Sequence, residues 1–166
     1  VTDGCATDEA PDGKACGKAR TIGRLAALAG YSFSGDTANA SDKDNLSTND
    51  TDCWDAGKDN YFRIWLVAGD ILDVILTPKS IASVTWDSMM KIYTGTLCDG
   101  QGALPINCYD TGGEGGKDYV NSFIAPADGW YTIVVDGRTS VSSQWLPYLL
   151  TVKLACKMAD CCCPGV

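Results

Sequence analysis

The sequence predicts an all-β, antiparallel fold, and three observations carry that prediction. Apolar and polar residues alternate at period two over several stretches of strand length. Glycine is abundant, at 18 of 166 residues, and turn residues punctuate the alternating stretches. Stretches with a helical period are scarce. The length fits one domain with a proper core, and the apolar content of 45% is ordinary for one.

Residues 1–20 read as a cysteine-bearing arm rather than a core element. Cys5 and Cys16 bracket Asp8, Glu9 and Asp12. They either close a small disulfide loop or reach cysteines near the other end of this chain or a neighbour. In residues 21–35, TIGRLAALAGYSFSG, Leu25 to Leu28 could start a helix, but Gly23 and Gly30 close in from both sides. A first strand and a turn are favoured there. Residues 36–59 form a polar loop with seven aspartates: Asp36, Asp42, Asp44, Asp50, Asp52, Asp55 and Asp59. Such density repels itself unless it is solvated or holds a cation. Crowded hard oxygen ligands suit Ca²⁺, although the spacing is not that of an EF-hand. The candidate ligands are Asp42, Asp44 and Asn45, with Asp50, Asp52 and Asp55 to complete the shell. The same loop carries N-x-[ST] sequons at Asn39, Asn45 and Asn49.

Tyr61 to Leu76, YFRIWLVAGDILDVIL, reads as two strands joined in a hairpin. Phe62, Ile64 and Leu66 share one face with Arg63 opposite, and Leu72, Val74 and Leu76 share one face with Asp73 opposite. Gly69 supplies the freedom the turn needs. Met90 and Ile92 share one face of a further strand, and Met89, Lys91 and Tyr93 the other. Cys98 and Cys108 flank a loop that a disulfide would close. Tyr119 to Asp136 repeats the hairpin logic, with Val120, Ser122 and Ile124 alternating on the way out and Tyr131, Ile133 and Val135 on the way back. Leu146 to Leu154 is the last strand, with Tyr148, Leu150, Val152 and Leu154 facing in, and Pro147 places its start at a sheet edge. Cys156 ends the domain, so the chain divides into an arm (1–20), a β domain (21–156) and a cysteine-rich tail (157–166).

Composition excludes several functions. A net charge of −8 argues against nucleic acid, since no basic stripe exists to displace counterions. No apolar run approaches the roughly 18 residues that would span a bilayer. No histidine is present, which removes the usual base for a Ser or Cys nucleophile and histidine-bearing metal sites. No phosphate-binding glycine loop occurs. A two-carboxylate glycosidase would need acids elsewhere than here: Glu9 and Glu114 are the only glutamates, both in loops. No catalytic residue is assigned. Nine cysteines without zinc spacing point to an oxidising, extracellular compartment and disulfides. The odd count leaves one for another molecule or for none. The vicinal Cys161, Cys162 and Cys163 seek distant partners, and Cys53 lies in the acidic loop. Val1 reads as a mature, processed amino terminus. Of the tryptophans, Trp65 and Trp130 fall on strand faces opposite the inward residues. They form either a sugar-stacking platform or a packing surface.

The stretches 59–70 (DNYFRIWLVAGD), 86–93 (WDSMMKIY), 123–137 (FIAPADGWYTIVVDG) and 148–152 (YLLTV) together resemble the bacterial pre-peptidase C-terminal domain. The likeness covers roughly residues 21–155. It implies a small jelly-roll-type β-sandwich and a secreted, non-catalytic module. In collagen-binding relatives it also implies calcium on an acidic N-terminal linker, a role that Asp42, Asp44 and Asn45 would fill. The cysteines at both ends depart from the family pattern. The expected function is therefore a calcium-stabilised structural subunit, linked by disulfides to copies of itself in an extracellular filament or surface layer. The alternative is an extracellular binding module for collagen-like, glycan or cell-surface ligands.

Overall fold

A computed structural model of the chain describes residues 13–14, 16–37, 40, 57–79, 87–95, 106–137 and 147–156. They form a β-sandwich. In chain order, β1 (Arg20–Ile22) is followed by a short helix α1 (Arg24–Ala29). Then come β2 (Tyr31–Asp36), β3 (Asn60–Leu66), β4 (Ile71–Pro78), β5 (Ser88–Thr94), β6 (Asn107–Tyr109), β7 (Asp118–Ile124), β8 (Gly129–Gly137) and β9 (Pro147–Ala155). One sheet has the order β1-β3-β8-β5-β6, the other β2-β9-β4-β7. With β1 set aside, the two four-stranded sheets have jelly-roll order, in which successive strands, β5 and β6 excepted, cross between layers. β1 lies parallel to β3, and the other pairings are antiparallel.

The core between the sheets holds the residues that the alternation assigned inward. Phe62, Ile64, Leu66, Leu72, Val74, Leu76, Ile133, Val135, Tyr148, Leu150, Val152 and Leu154 are all buried. Several expectations are corrected. The stretch 61–76 is not a hairpin: β3 belongs to one sheet and β4 to the other. The same holds for β7 and β8. Period-two alternation reports which face of a strand is buried, not which strand lies beside it. Each tight turn therefore carries the chain across the sandwich instead of back along one sheet. Residues 21–35 contain both alternatives, a strand and a helix. Gly30 closes the helix with a left-handed φ of 95° and donates its N–H to the Ala27 carbonyl.

β9 is a central strand, between β2 and β4, and not an edge. Pro147 is tolerated as its first residue, where one ladder bond fewer matters least. In β7 the inward residues are Val120 and Phe123, while Ile124 is 60% exposed. A β-bulge opposite Leu72–Val74, with Ser122 at φ 56°, shifts the alternation by one. In β5 both faces are buried. Met90 and Ile92 face the main core or its margin, while Tyr93 joins Ala19, Tyr61 and Val134 in a small second cluster. The segment before β1 is tied to β3 as well, since the Tyr61 N–H donates to the Gly13 carbonyl at 2.7 Å.

Candidate functional site

Three polar constellations stand out, and two of them are explained by architecture. The first sits where the two crossover turns meet. Asp70 N–H donates to the Val67 carbonyl at 2.9 Å, with Gly69 at φ 88° as a type II turn requires at that position. The Asp70 carboxylate accepts from the Val67 N–H at 2.8 Å and pairs with the Arg24 guanidinium. Both side chains are buried, at 4% and 6% exposure. Arg24 also donates to the Trp65 carbonyl at 3.2 Å and lies 3.8 Å from the Cys156 sulfur. The second turn docks on the first: Gly69 N–H donates to Ala125 O, Ala125 N–H to Asp70 O, and Ala68 N–H to the Asp128 carboxylate.

The second constellation lies at the opposite end of the strands. Asp118, at the start of β7, accepts from Ser88 Oγ at 2.5 Å and from the N–H groups of Thr111 and Gly112 at 2.8 and 3.0 Å. Burial raises its pKa above the ordinary 3.8. The bonds from Ser88, Gly112 and Thr111 oppose that shift, and the charge of Asp110 adds to it. Asn60 donates to the Asp36 carbonyl at 2.7 Å and to the Tyr148 hydroxyl at 2.8 Å. Burial drives the Tyr148 phenol far above its usual pKa, so it stays protonated. These groups bridge the two sheets.

The third constellation lies on the outer face of the five-stranded sheet. There, outward residues of neighbouring strands stand side by side. Part of the face is buried. Lys91 Nζ pairs with Asp136 at 3.1 Å, each 1% exposed, and Asp136 also accepts from the Gly137 N–H. The other part holds Trp65 opposite Trp130 in register, both half-buried. Their rings meet edge to face, with centroids 5.6 Å apart and planes at 85°. Arg63 lies over Trp130 at 5.2 Å, and its Nε donates to Thr21 Oγ1 at 2.8 Å. Gly95 rims the patch, donating to the Trp130 carbonyl and accepting from Thr132 Oγ1.

Asp42, Asp44, Asn45, Asp50, Asp52 and Asp55, the expected calcium ligands, lie outside the described residues, as do Asn39 and Asn49 and the remaining tryptophans, Trp54, Trp86 and Trp145. Among the described residues no three His, Cys, Asp or Glu side chains group as a metal site. Cys5, Cys53, Cys98, Cys161, Cys162 and Cys163 also lie outside them, and Cys16 starts a 3-10 turn at Cys16–Lys18. Cys108, in β6, is disulfide-bonded. Sequence reasoning placed Trp65 and Trp130 on strand faces opposite the inward residues, as a stacking platform or a packing surface. It missed that they pair with each other, and it missed Arg63 and Thr21 beside them. Arg63 shares its face parity with Trp65, a signal that was available.

No family model matches this chain, and neither does any curated protein. Among solved structures it is similar to a periplasmic inhibitor of g-type lysozyme from Aeromonas hydrophila. The two are 16% identical, with a TM-score of 0.47, over 76% of this chain and 86% of that one. No helix among the described residues is long and apolar enough to cross a membrane.

Proposed function

We propose that the chain is a non-catalytic, secreted structural subunit, joined to copies of itself in an extracellular filament or surface layer. The finish of the sheet edges supports this reading. The β3 edge is covered by the chain's own Gly13 and β1. β7 is broken by its bulge, and β6 is only three residues long. Short, bulged or covered edges resist pairing with other chains. β2 is different. It is six residues long, in regular register with β9 at every position, and stands at the margin of its sheet among the described residues. Such an edge accepts a strand from a neighbour. Cysteines in the arm and tail would then fasten neighbours covalently. The jelly-roll order supports the resemblance to the pre-peptidase C-terminal domain. Of the four buried aspartates among the described residues, Asp70, Asp118 and Asp136 serve turns and sheet contacts and Asp59 accepts from the Tyr61 hydroxyl, which supports a role without catalysis.

On this reading the purified protein runs as a ladder of multiples in a non-reducing gel and collapses to a monomer on reduction. A monomer in both lanes sinks the disulfide-linked assembly. Calcium in the loop of Asp42, Asp44, Asn45, Asp50, Asp52 and Asp55 completes the reading. A ligand bound only to the native state raises stability, so chelator at neutral pH should lower the melting temperature. An unchanged melting temperature refutes the calcium site.

A second reading has an observation of its own. The half-exposed Trp65–Trp130 pair with Arg63 beside it favours an extracellular binding module for a glycan or matrix ligand.

A further inference from the structure

We propose that the patch of Arg63, Trp65 and Trp130 binds the acidic sugar rings of a uronate-bearing polysaccharide. The proposal rests on the binding-module reading above and names its ligand class. The two tryptophans, on adjacent strands, present indole surfaces nearly at right angles. They therefore form a notch and not the flat platform that strand parity alone allows. The negative face of an indole attracts electropositive C–H edges, which is the side a pyranose ring offers.

Arg63 supplies the charge. Its Nε is held by Thr21, whose side chain is on a residue only 2% exposed, and its guanidinium lies against Trp130. No carboxylate among the described residues pairs with it. The two anchors fix the plane of the guanidinium, and its terminal amino groups are left as a fork that matches a carboxylate bidentately. A uronate sugar carries both features at the right scale, a C–H face and a carboxylate on the same ring. Charge complementarity is local, because the chain as a whole carries −8 and repels polyanions at long range. An acidic polymer that is nonetheless retained must be held by a specific site of this kind.

The test is affinity electrophoresis of the full chain through gels that contain polygalacturonate, neutral dextran or polyglutamate. Polygalacturonate should retard the protein and the other two should not. Arg63→Gln and Arg63→Lys should each weaken retardation by about tenfold, the scale of one charge-assisted hydrogen-bond pair. Lysine keeps the charge and loses the fork. Trp130→Ala should abolish retardation, with circular dichroism to show that it folds; Trp130→Phe, which keeps a ring in the sheet, should weaken it if the alanine variant does not fold. Equal retardation by dextran, unaffected at Arg63 but lost at Trp130, overturns the acidic ligand and leaves the binding module standing. Equal retardation by polyglutamate overturns the sugar. No retardation by any polymer overturns both.

Discussion

Arg24–Asp70 and Lys91–Asp136 are both buried pairs of one cation and one carboxylate, yet they hold different things. Arg24 reaches from α1 to the crossover turn after β3, to the Trp65 carbonyl and to the end of β9. The pair therefore joins segments far apart in sequence and belonging to both sheets. Lys91 and Asp136 sit on β5 and β8, strands already paired along seven positions of one sheet. The backbone ladder fixes that neighbourhood whether or not the charges meet. A buried ion pair is a weak argument for stability by itself, because desolvation offsets much of its attraction. What distinguishes these two is whether anything else would hold the partners together.

The sharpest way to break the contrast is Asp70→Ala. It strands a buried guanidinium and removes the acceptor of the Val67 N–H, so we expect a loss of about 3–5 kcal/mol. Urea unfolding should show it, with protection against hydrogen exchange falling in both sheets. Lys91→Met should cost less, since its thioether chain fills the space and the β5–β8 ladder stays in place while Asp136 loses the lysine charge. The double variant Lys91→Met/Asp136→Leu should recover most of that loss. If Lys91→Met proves as damaging as Asp70→Ala, the distinction between turn-joining and sheet-decorating pairs is wrong.

Ser88→Ala tests the opposite end of the sandwich. It removes a hydrogen bond to a buried carboxylate and should cost about 1.5–3 kcal/mol. Asp118 also gives a pH signature. Its folded pKa lies above the ordinary 3.8, so the folded state holds this proton more tightly than the unfolded one. Its contribution to stability is full below the ordinary value and is lost as pH rises through the folded pKa. Stability of Asp118→Asn relative to the parent should therefore rise across that interval. Chemical denaturation at a series of pH values measures it, and a constant difference would refute the assignment. The smallest effect is the Trp65–Trp130 coupling, about 0.5–1.5 kcal/mol in a double-mutant cycle.

Much of the sandwich was legible in the chain. Phe62, Ile64 and Leu66, or Tyr148, Leu150, Val152 and Leu154, announce their inward faces because burial follows a period fixed by the strand itself. Ser122 shows where that reading fails. The bulge that re-aims β7 arises from its pairing with β4, so the alternation of β7 predicts Ile124 inward, whereas the structure buries Phe123 and leaves Ile124 exposed. The candidate site was half legible. Parity put Trp65 and Trp130 on the outer face, but their contact depends on β3 and β8 being neighbours, and those strands are separated by more than sixty residues of chain.

What the sequence determined by itself, then, was the local content: the all-β class, the inward faces, the turns at Gly69 and at Asp128–Gly129, and the chemistry excluded by the missing histidine. These depend on side-chain period, backbone freedom and composition, all local properties. Only the tertiary structure decided which strands lie side by side. It turned two expected hairpins into crossovers, put β9 at the centre of its sheet, and set Arg24 against Asp70 and Arg63 beside Trp130. Alternation constrains the face a strand buries and leaves its neighbour open, and the neighbour is fixed only when both sheets close over one core.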